Sequence, residues 1–162
     1  MVQKKQISHS RILITCRLLI LLSILALPCN AFASSLSGQV LNISTDTRII
    51  LQTKDGRRLP VTLAGIKSPP FIGRRASIGK RHLQTLLAGR FVTVDPITRS
   101  ASGVILGRVL YGGSDVGLRL IRSGLALVAD APLPLDAELQ HQYAQAEEEA
   151  RRRKMGYWQT IR

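Results

Sequence analysis

Val-Thr-Leu-Ala-Gly-Ile-Lys-Ser-Pro-Pro, residues 61–70, is the stretch that decides the fold. Its apolar positions, Val61, Leu63 and Ile66, favour a strand. The two closing prolines cannot donate a backbone hydrogen bond to a sheet, so they end that strand. The stretch therefore predicts the end of a strand over residues 58–66, followed by a sharp turn.

The segments before this stretch are predicted to complete a three-stranded antiparallel meander. Two earlier strands are predicted over residues 36–43 and 47–53 from their β-branched and apolar residues. Lys54-Asp55-Gly56 joins the second strand to the third, because Asp-Gly suits the positive-φ turns of tight hairpins.

The segments after the stretch add two strands and three helices. Helices are predicted over residues 76–87, 114–124 and 136–154, with Ser114 as a cap, and strands over residues 91–94 and 103–111. Gly107 predicts a bulge or sharp bend within the last strand. This order predicts a mainly β fold with α (α+β), namely a five-stranded OB-type Greek-key barrel with three helices. Trp158 is expected to cover the core.

Residues 1–33 have the composition of a secretory signal peptide. Basic residues precede a ten-residue apolar run over 18–27, Pro28 ends that run, and Ala31-Phe32-Ala33 resembles a cleavage site. We therefore expect an exported protein, periplasmic or secreted, whose domain spans residues 34–162. The alternatives are an uncleaved membrane anchor or a lipid-modified Cys29.

The composition indicates a basic domain that has no disulfide. Both cysteines, Cys16 and Cys29, lie within the predicted signal peptide, so a packed core must stabilise the domain. The chain carries a formal net charge of +13, and only four of its 23 basic residues lie in residues 1–33. Such a domain is attracted to polyanions, unless the charge serves only solubility.

Five motifs in the expected order resemble those of the thermonuclease (staphylococcal nuclease-like) family. They are Asp46-Thr47, Leu63 to Pro69, Leu86 to Arg90 with Val92 and Val94, Asp115-Val116 with Gly124-Leu125-Ala126, and Tyr143 to Trp158. The resemblance covers nearly all of the predicted mature chain and implies the same barrel.

The resemblance also implies an activity, because active members hydrolyse DNA and RNA with a calcium ion. Calcium requires several oxygen ligands, and the attacking water requires a base. The family's two metal carboxylates fall on Asp46 and Lys67, and its glutamate base falls on Pro70. Its two phosphate-binding arginines fall on Thr62 and Val104.

Most of this machinery is therefore expected to be missing. No Asp or Glu occurs anywhere from residue 56 to residue 93, so a small error in alignment does not restore the site. Asp46 is expected to remain as a remnant of the metal site. We also hypothesise that the Lys67 ammonium fills the vacated metal position and pairs with Asp46, the alternative being a lysine that points to solvent.

Three functions are compatible with this sequence. The favoured one is a non-catalytic module that binds nucleic acid or an anionic envelope polymer and needs no cofactor. The second is a nuclease with altered metal chemistry, using Ca²⁺ or a site near His82 or His141. The third is a scaffold that binds a protein partner. Candidate polyanion contacts are Arg57, Arg58, Lys67, Arg74, Arg75, Lys80, Arg81 and Arg90.

Overall fold

The computed structural model describes residues 35–71, 77–130 and 135–159. These residues all belong to one compact unit, residues 33–162. The predicted signal peptide and the candidate contacts Arg74 and Arg75 lie outside the described residues. Within the described part, no helix has the length and apolar character needed to cross a membrane.

Eight strands and three helices make up the described chain. The strands are β1 (Leu36–Thr45), β2 (Arg48–Thr53), β3 (Arg58–Leu63), β4 (Ile66–Lys67), β5 (Phe91–Arg99), β6 (Ile105–Tyr111), β7 (Ser114–Asp115) and β8 (Leu127–Val128). The helices are α1 (Ile78–Leu87), α2 (Val116–Arg122) and α3 (Ala137–Arg152), and a 3₁₀ turn (Gly156–Gln159) follows.

The five long strands form a closed barrel. Their order is β3-β2-β1-β5-β6, with β7 beside β6, and β3 also pairs with β6 in parallel to close the sheet. The five-stranded OB-type barrel with three helices predicted from the sequence is confirmed.

The strand predicted over residues 58–66 is two strands. β3 ends at Leu63, and Gly65 adopts a positive φ of 77°, which residues other than glycine rarely adopt. The chain then enters β4, which pairs with β8 rather than with the barrel. The turn thus carries Lys67 away from the barrel wall.

The bend expected at Gly107 lies on the neighbouring strand. β5 runs beyond its predicted end to Arg99, and its pairing with β6 shifts between Pro96 and Thr98. A Cβ at Gly107 would lie 2.8 Å from the Asp95 carbonyl oxygen. The glycine therefore lets β5 approach β6 closely, while its own carbonyl accepts from the Ala64 N–H at 2.9 Å.

Alternating apolar residues fill the barrel, and the helices close it. Val40, Ile49, Leu51, Val61 and Val94 are fully buried inside the sheet. α2 and α3 add buried residues to the same core, which is continuous across the described chain: Val116, Leu120, Ile121, Leu139, Tyr143 and Ala146.

One detail near the helices differs from the sequence prediction. α2 is capped by Asp115, whose carboxylate accepts from the Leu118 N–H at 3.0 Å, and not by Ser114. Trp158, which was expected to cover the core, is half-buried. Its ring packs against Tyr157 at 5.3 Å and lies 4.5 Å from the Arg151 guanidinium carbon.

Candidate functional site

Asp46 lies in the turn between β1 and β2 and contacts two other elements. The Ser68 hydroxyl donates to its Oδ1 at 2.6 Å. A Cβ at Gly79, in the first turn of α1, would lie 2.9 Å from the Asp46 Cβ. The first turn of α1 holds no acidic residue, so the Asp46 carboxylate supplies negative charge at the positive end of that helix. The retained carboxylate therefore has a structural role beside any metal role.

Lys67 pairs with a carboxylate that the sequence analysis did not consider. Its Nζ forms a salt bridge with Asp130, and the described residues include no ion pair between Lys67 and Asp46. The hypothesis of an Asp46–Lys67 pair is therefore wrong. The reason is that Lys67 lies on β4, directly opposite Leu127 of β8, and β8 leads on to Asp130.

The strand β8 is itself held in place by two backbone contacts. The Val128 N–H donates to Glu147 Oε1 of α3 at 3.1 Å, and the Ala129 N–H donates to the Gly65 carbonyl at 3.0 Å. Through β8, helix α3 thus fixes the position of Lys67.

Thr62 has an arginine neighbour from the adjacent strand. Arg48 of β2 lies directly opposite Thr62 of β3, and its Nε donates to the Thr62 Oγ1 at 3.0 Å. The Arg48 side chain is exposed and has no salt bridge to a described carboxylate. A guanidinium is thus present beside the position where the family carries an arginine. Arg48 was not among the predicted site residues, because a hairpin centred on Asp55-Gly56 places residue 48 opposite residue 63, whereas the observed register pairs it with residue 62.

The two remaining family positions carry no reactive group. Val104 lies in the turn between β5 and β6, where its N–H donates to the Ser100 hydroxyl at 3.1 Å. Pro70 is exposed. In the described residues, no three His, Cys, Asp or Glu side chains form a group that could hold a metal ion.

Residues 61–160 match the family model described as staphylococcal nuclease homologue. The chain belongs to this family. Its relatives include proteins named probable endonuclease LCL3. That of Coccidioides posadasii is 31% identical over 120 residues, covering 65% of this chain and 39% of the relative. Those of Uncinocarpus reesii and Pyricularia oryzae are 30% and 31% identical, covering 65% and 64% of this chain and 40% and 44% of the relatives. The chain thus spans about two fifths of the length of these curated relatives.

The other candidate contacts of this nuclease homologue lie on separate elements. Lys80 and Arg81 lie on α1, Arg90 precedes β5, and Arg58 begins β3. Arg57 pairs with Asp55 at the tip of the β2–β3 hairpin, at 2.5 Å. His82 is exposed on α1, and His141 is exposed on α3.

A buried polar cluster surrounds Asp115. Arg108 Nε pairs with Asp115 Oδ2 at 2.7 Å, and the Tyr143 hydroxyl donates to Asp115 Oδ2 at 3.0 Å. Burial, and then the charge of Asp115, raise the pKa of the Tyr143 phenol well above its ordinary value. Burial alone would lower the pKa of Arg108, but its bond to Asp115 raises it. This cluster links β6, α2 and α3, and its polar groups form hydrogen bonds with one another.

Proposed function

We propose that this chain is an exported, non-catalytic member of the staphylococcal nuclease family that binds nucleic acid. One observation carries the proposal: Lys67 corresponds in sequence to the family's second metal carboxylate, and its ammonium pairs with Asp130. The domain boundary after residue 33 and the periplasmic or secreted location belong to this proposal.

The residues around Asp46 offer few ligands for a metal ion, which disfavours metal-dependent hydrolysis. A calcium ion requires six to eight oxygen ligands, usually with several carboxylates among them. Asp46 is the one family carboxylate present, and Ser68 already donates to it. A neighbouring ammonium repels a divalent cation. These residues therefore do not fit a calcium site.

Phosphate binding is favoured by the cations that remain. Arg48 uses its Nε on Thr62, which leaves its terminal nitrogens for an incoming anion. Guanidinium groups bind phosphate oxygens in paired hydrogen bonds. The OB-type barrel commonly binds oligonucleotides on the face of its second and third strands, where Arg48 and Thr62 lie.

The relatives favour a second candidate, a metal-dependent endonuclease with altered site chemistry. These relatives are named probable endonucleases, and the shared family supports a common activity. In that case the metal ion must be bound by residues other than those at the family's metal-binding positions.

A nuclease assay separates the two candidates. The expressed chain is incubated with plasmid DNA and with RNA in calcium, magnesium or manganese, each against a chelator. We expect no cleavage above the chelator control. Metal-dependent cleavage that disappears in Asp46→Ala would overturn the non-catalytic proposal and establish the endonuclease.

A salt titration of binding tests the phosphate contacts. Arg48→Ala is expected to weaken binding to DNA and to lower the slope of log affinity against log salt by about 1. Arg152→Ala is the matched control, because Arg152 is exposed on α3 and has no ion pair with a described residue. Equal effects of the two changes would show that Arg48 acts only through net charge. Preference for an anionic envelope polymer over DNA would redirect the assignment to that polyanion.

A further inference from the structure

A groove of about 330 Å³ lies at the end of the barrel opposite the hairpin turn that holds Asp46. It is lined by Gln39, Gln52, Thr53, Lys54, Gly56 and Phe91. The strand register explains this grouping, because Gln39 of β1 lies opposite both Gln52 of β2 and Phe91 of β5. Directly paired residues project from the same face, so these three side chains form one line on the outside of the barrel.

Phe91 is the most exposed large apolar side chain in the described chain, with 69% of its surface accessible. Its position follows from the alternation of β5, since Val92 and Val94 occupy the inner face. The aromatic contacts among described residues involve Phe71, Tyr157 and Trp158, and none involves Phe91. Both faces of an aromatic ring at the surface are suited to stacking with a flat ligand.

The groove combines this ring with cations and amides. Lys54 lines it, and Arg58 extends the same line because it lies opposite Gln52. Neither cation has a salt bridge to a described residue, whereas Arg57 beside them is neutralised by Asp55. Gln39 donates to the Gly89 carbonyl at 3.0 Å, which leaves its own carbonyl oxygen as an acceptor. The groove therefore offers a stacking surface, positive charge and hydrogen-bonding groups together.

The groove and the Arg48–Thr62 pair share one face of the barrel. Arg48, Ile50 and Gln52 alternate along β2, and their partners on β3 are Thr62, Pro60 and Arg58 without a break in register. Arg48 and Gln52 are four residue steps apart along β2, a distance of about 13 Å. An OB-type barrel binds about 4–16 nucleotides of single strand, so one ligand can cover both positions.

We infer that the Phe91 groove is a base-stacking subsite for single-stranded nucleic acid. This inference rests on the proposed function and adds that the bound nucleic acid is single-stranded. A base stacks on Phe91, and Lys54 and Arg58 bind the flanking phosphates. A duplex keeps its bases stacked inside, so it gains nothing from the exposed ring.

The test compares a labelled oligothymidine of about 12 nucleotides with a duplex of equal length, using the full chain expressed so that any export processing occurs. Phe91→Ala is expected to reduce affinity for the single strand about 10-fold, with duplex binding unchanged. Phe91→Tyr keeps an aromatic ring and is expected to retain affinity. Leu41→Ala is the matched control, because Leu41 is also an exposed apolar residue of the barrel.

The outcomes separate this inference from the proposed function. Unchanged single-strand affinity in Phe91→Ala, while Arg48→Ala still weakens binding, overturns the subsite and leaves nucleic-acid binding intact. Equal loss on single strand and duplex also overturns it, because stacking is then not the cause. If a neutral oligosaccharide requires Phe91 and oligothymidine does not, the groove is a glycan site. Absence of any DNA binding by the unaltered chain at low salt contradicts both proposals together.

Discussion

Lys67 is the residue with the greatest effect on the character of the pocket. It precedes Ser68, whose hydroxyl donates to Asp46, and its own ammonium forms a salt bridge with Asp130. A carboxylate at position 67, together with Asp46 and Asp130, would give this site acidic side chains from three parts of the chain.

We predict that Lys67→Asp gives weak calcium binding. Removing the ammonium ends its repulsion of divalent cations and adds oxygen ligands, so an affinity of about 10⁻³ M is expected. Calorimetric titration measures it, and Lys67→Ala is the control that removes charge without adding a ligand. Equal calcium binding by both variants, or by neither, would contradict this account of the pocket.

Tyr143 is predicted to make the domain sensitive to alkaline conditions. Its pKa is raised in the folded protein, so the neutral phenol is favoured there, whereas the unfolded phenol ionises near pH 10. The stability it contributes is complete below pH 10 and falls as the pH rises above 10.

The variant Tyr143→Phe isolates this effect. It removes one buried hydrogen bond to Asp115, which costs about 1–3 kcal/mol at neutral pH. It also removes the ionising group, so the free energy of unfolding should decline less between pH 9 and about pH 11 than in the unaltered protein. Urea titrations at each pH measure this difference. Parallel declines in the two proteins would assign the alkaline sensitivity to other groups.

At the scale of elements, helix α3 stabilises the two-stranded sheet of β4 and β8, which carries Lys67. Glu147 accepts from the Val128 N–H of β8, and β8 pairs with β4. We predict that Glu147→Ala loosens this sheet and speeds amide hydrogen exchange at Val128 and Lys67 about 5- to 10-fold, the loss of about one hydrogen bond. Glu148→Ala is the control, because Glu148 is exposed and lies 3.8 Å from Arg151. Similar exchange in both variants would show that α3 does not support the sheet.

Elements that depend on local patterns were predictable from the sequence. The barrel was predictable from the alternation of apolar residues in β2, β5 and β6 and from the Asp55-Gly56 turn. The start of α3 was indicated by Asp136. Contacts between distant segments were not predictable. Asp130 lies 63 residues from Lys67 and meets it through β4 and β8, which are only two residues each. Such short strands have no periodic pattern to detect.

At the scale of the whole molecule, the barrel and helices share one continuous core. We therefore predict a single cooperative unfolding transition, with fluorescence of Trp158, the one tryptophan, coinciding with far-ultraviolet circular dichroism. A reducing agent should leave the midpoint unchanged, because no cysteine occurs after residue 29. An earlier transition in fluorescence would indicate that the C-terminal segment unfolds separately.

The parallel pairing of β3 with β6 also determines when folding can finish. Val61 pairs with Ile105, so the barrel cannot close until the ribosome has synthesised α1, β5 and β6. Pairings between distant segments form slowly, because a long loop must first be ordered. During synthesis, β3 therefore presents an unpaired edge, and the nascent chain remains open to capture by chaperones throughout that interval.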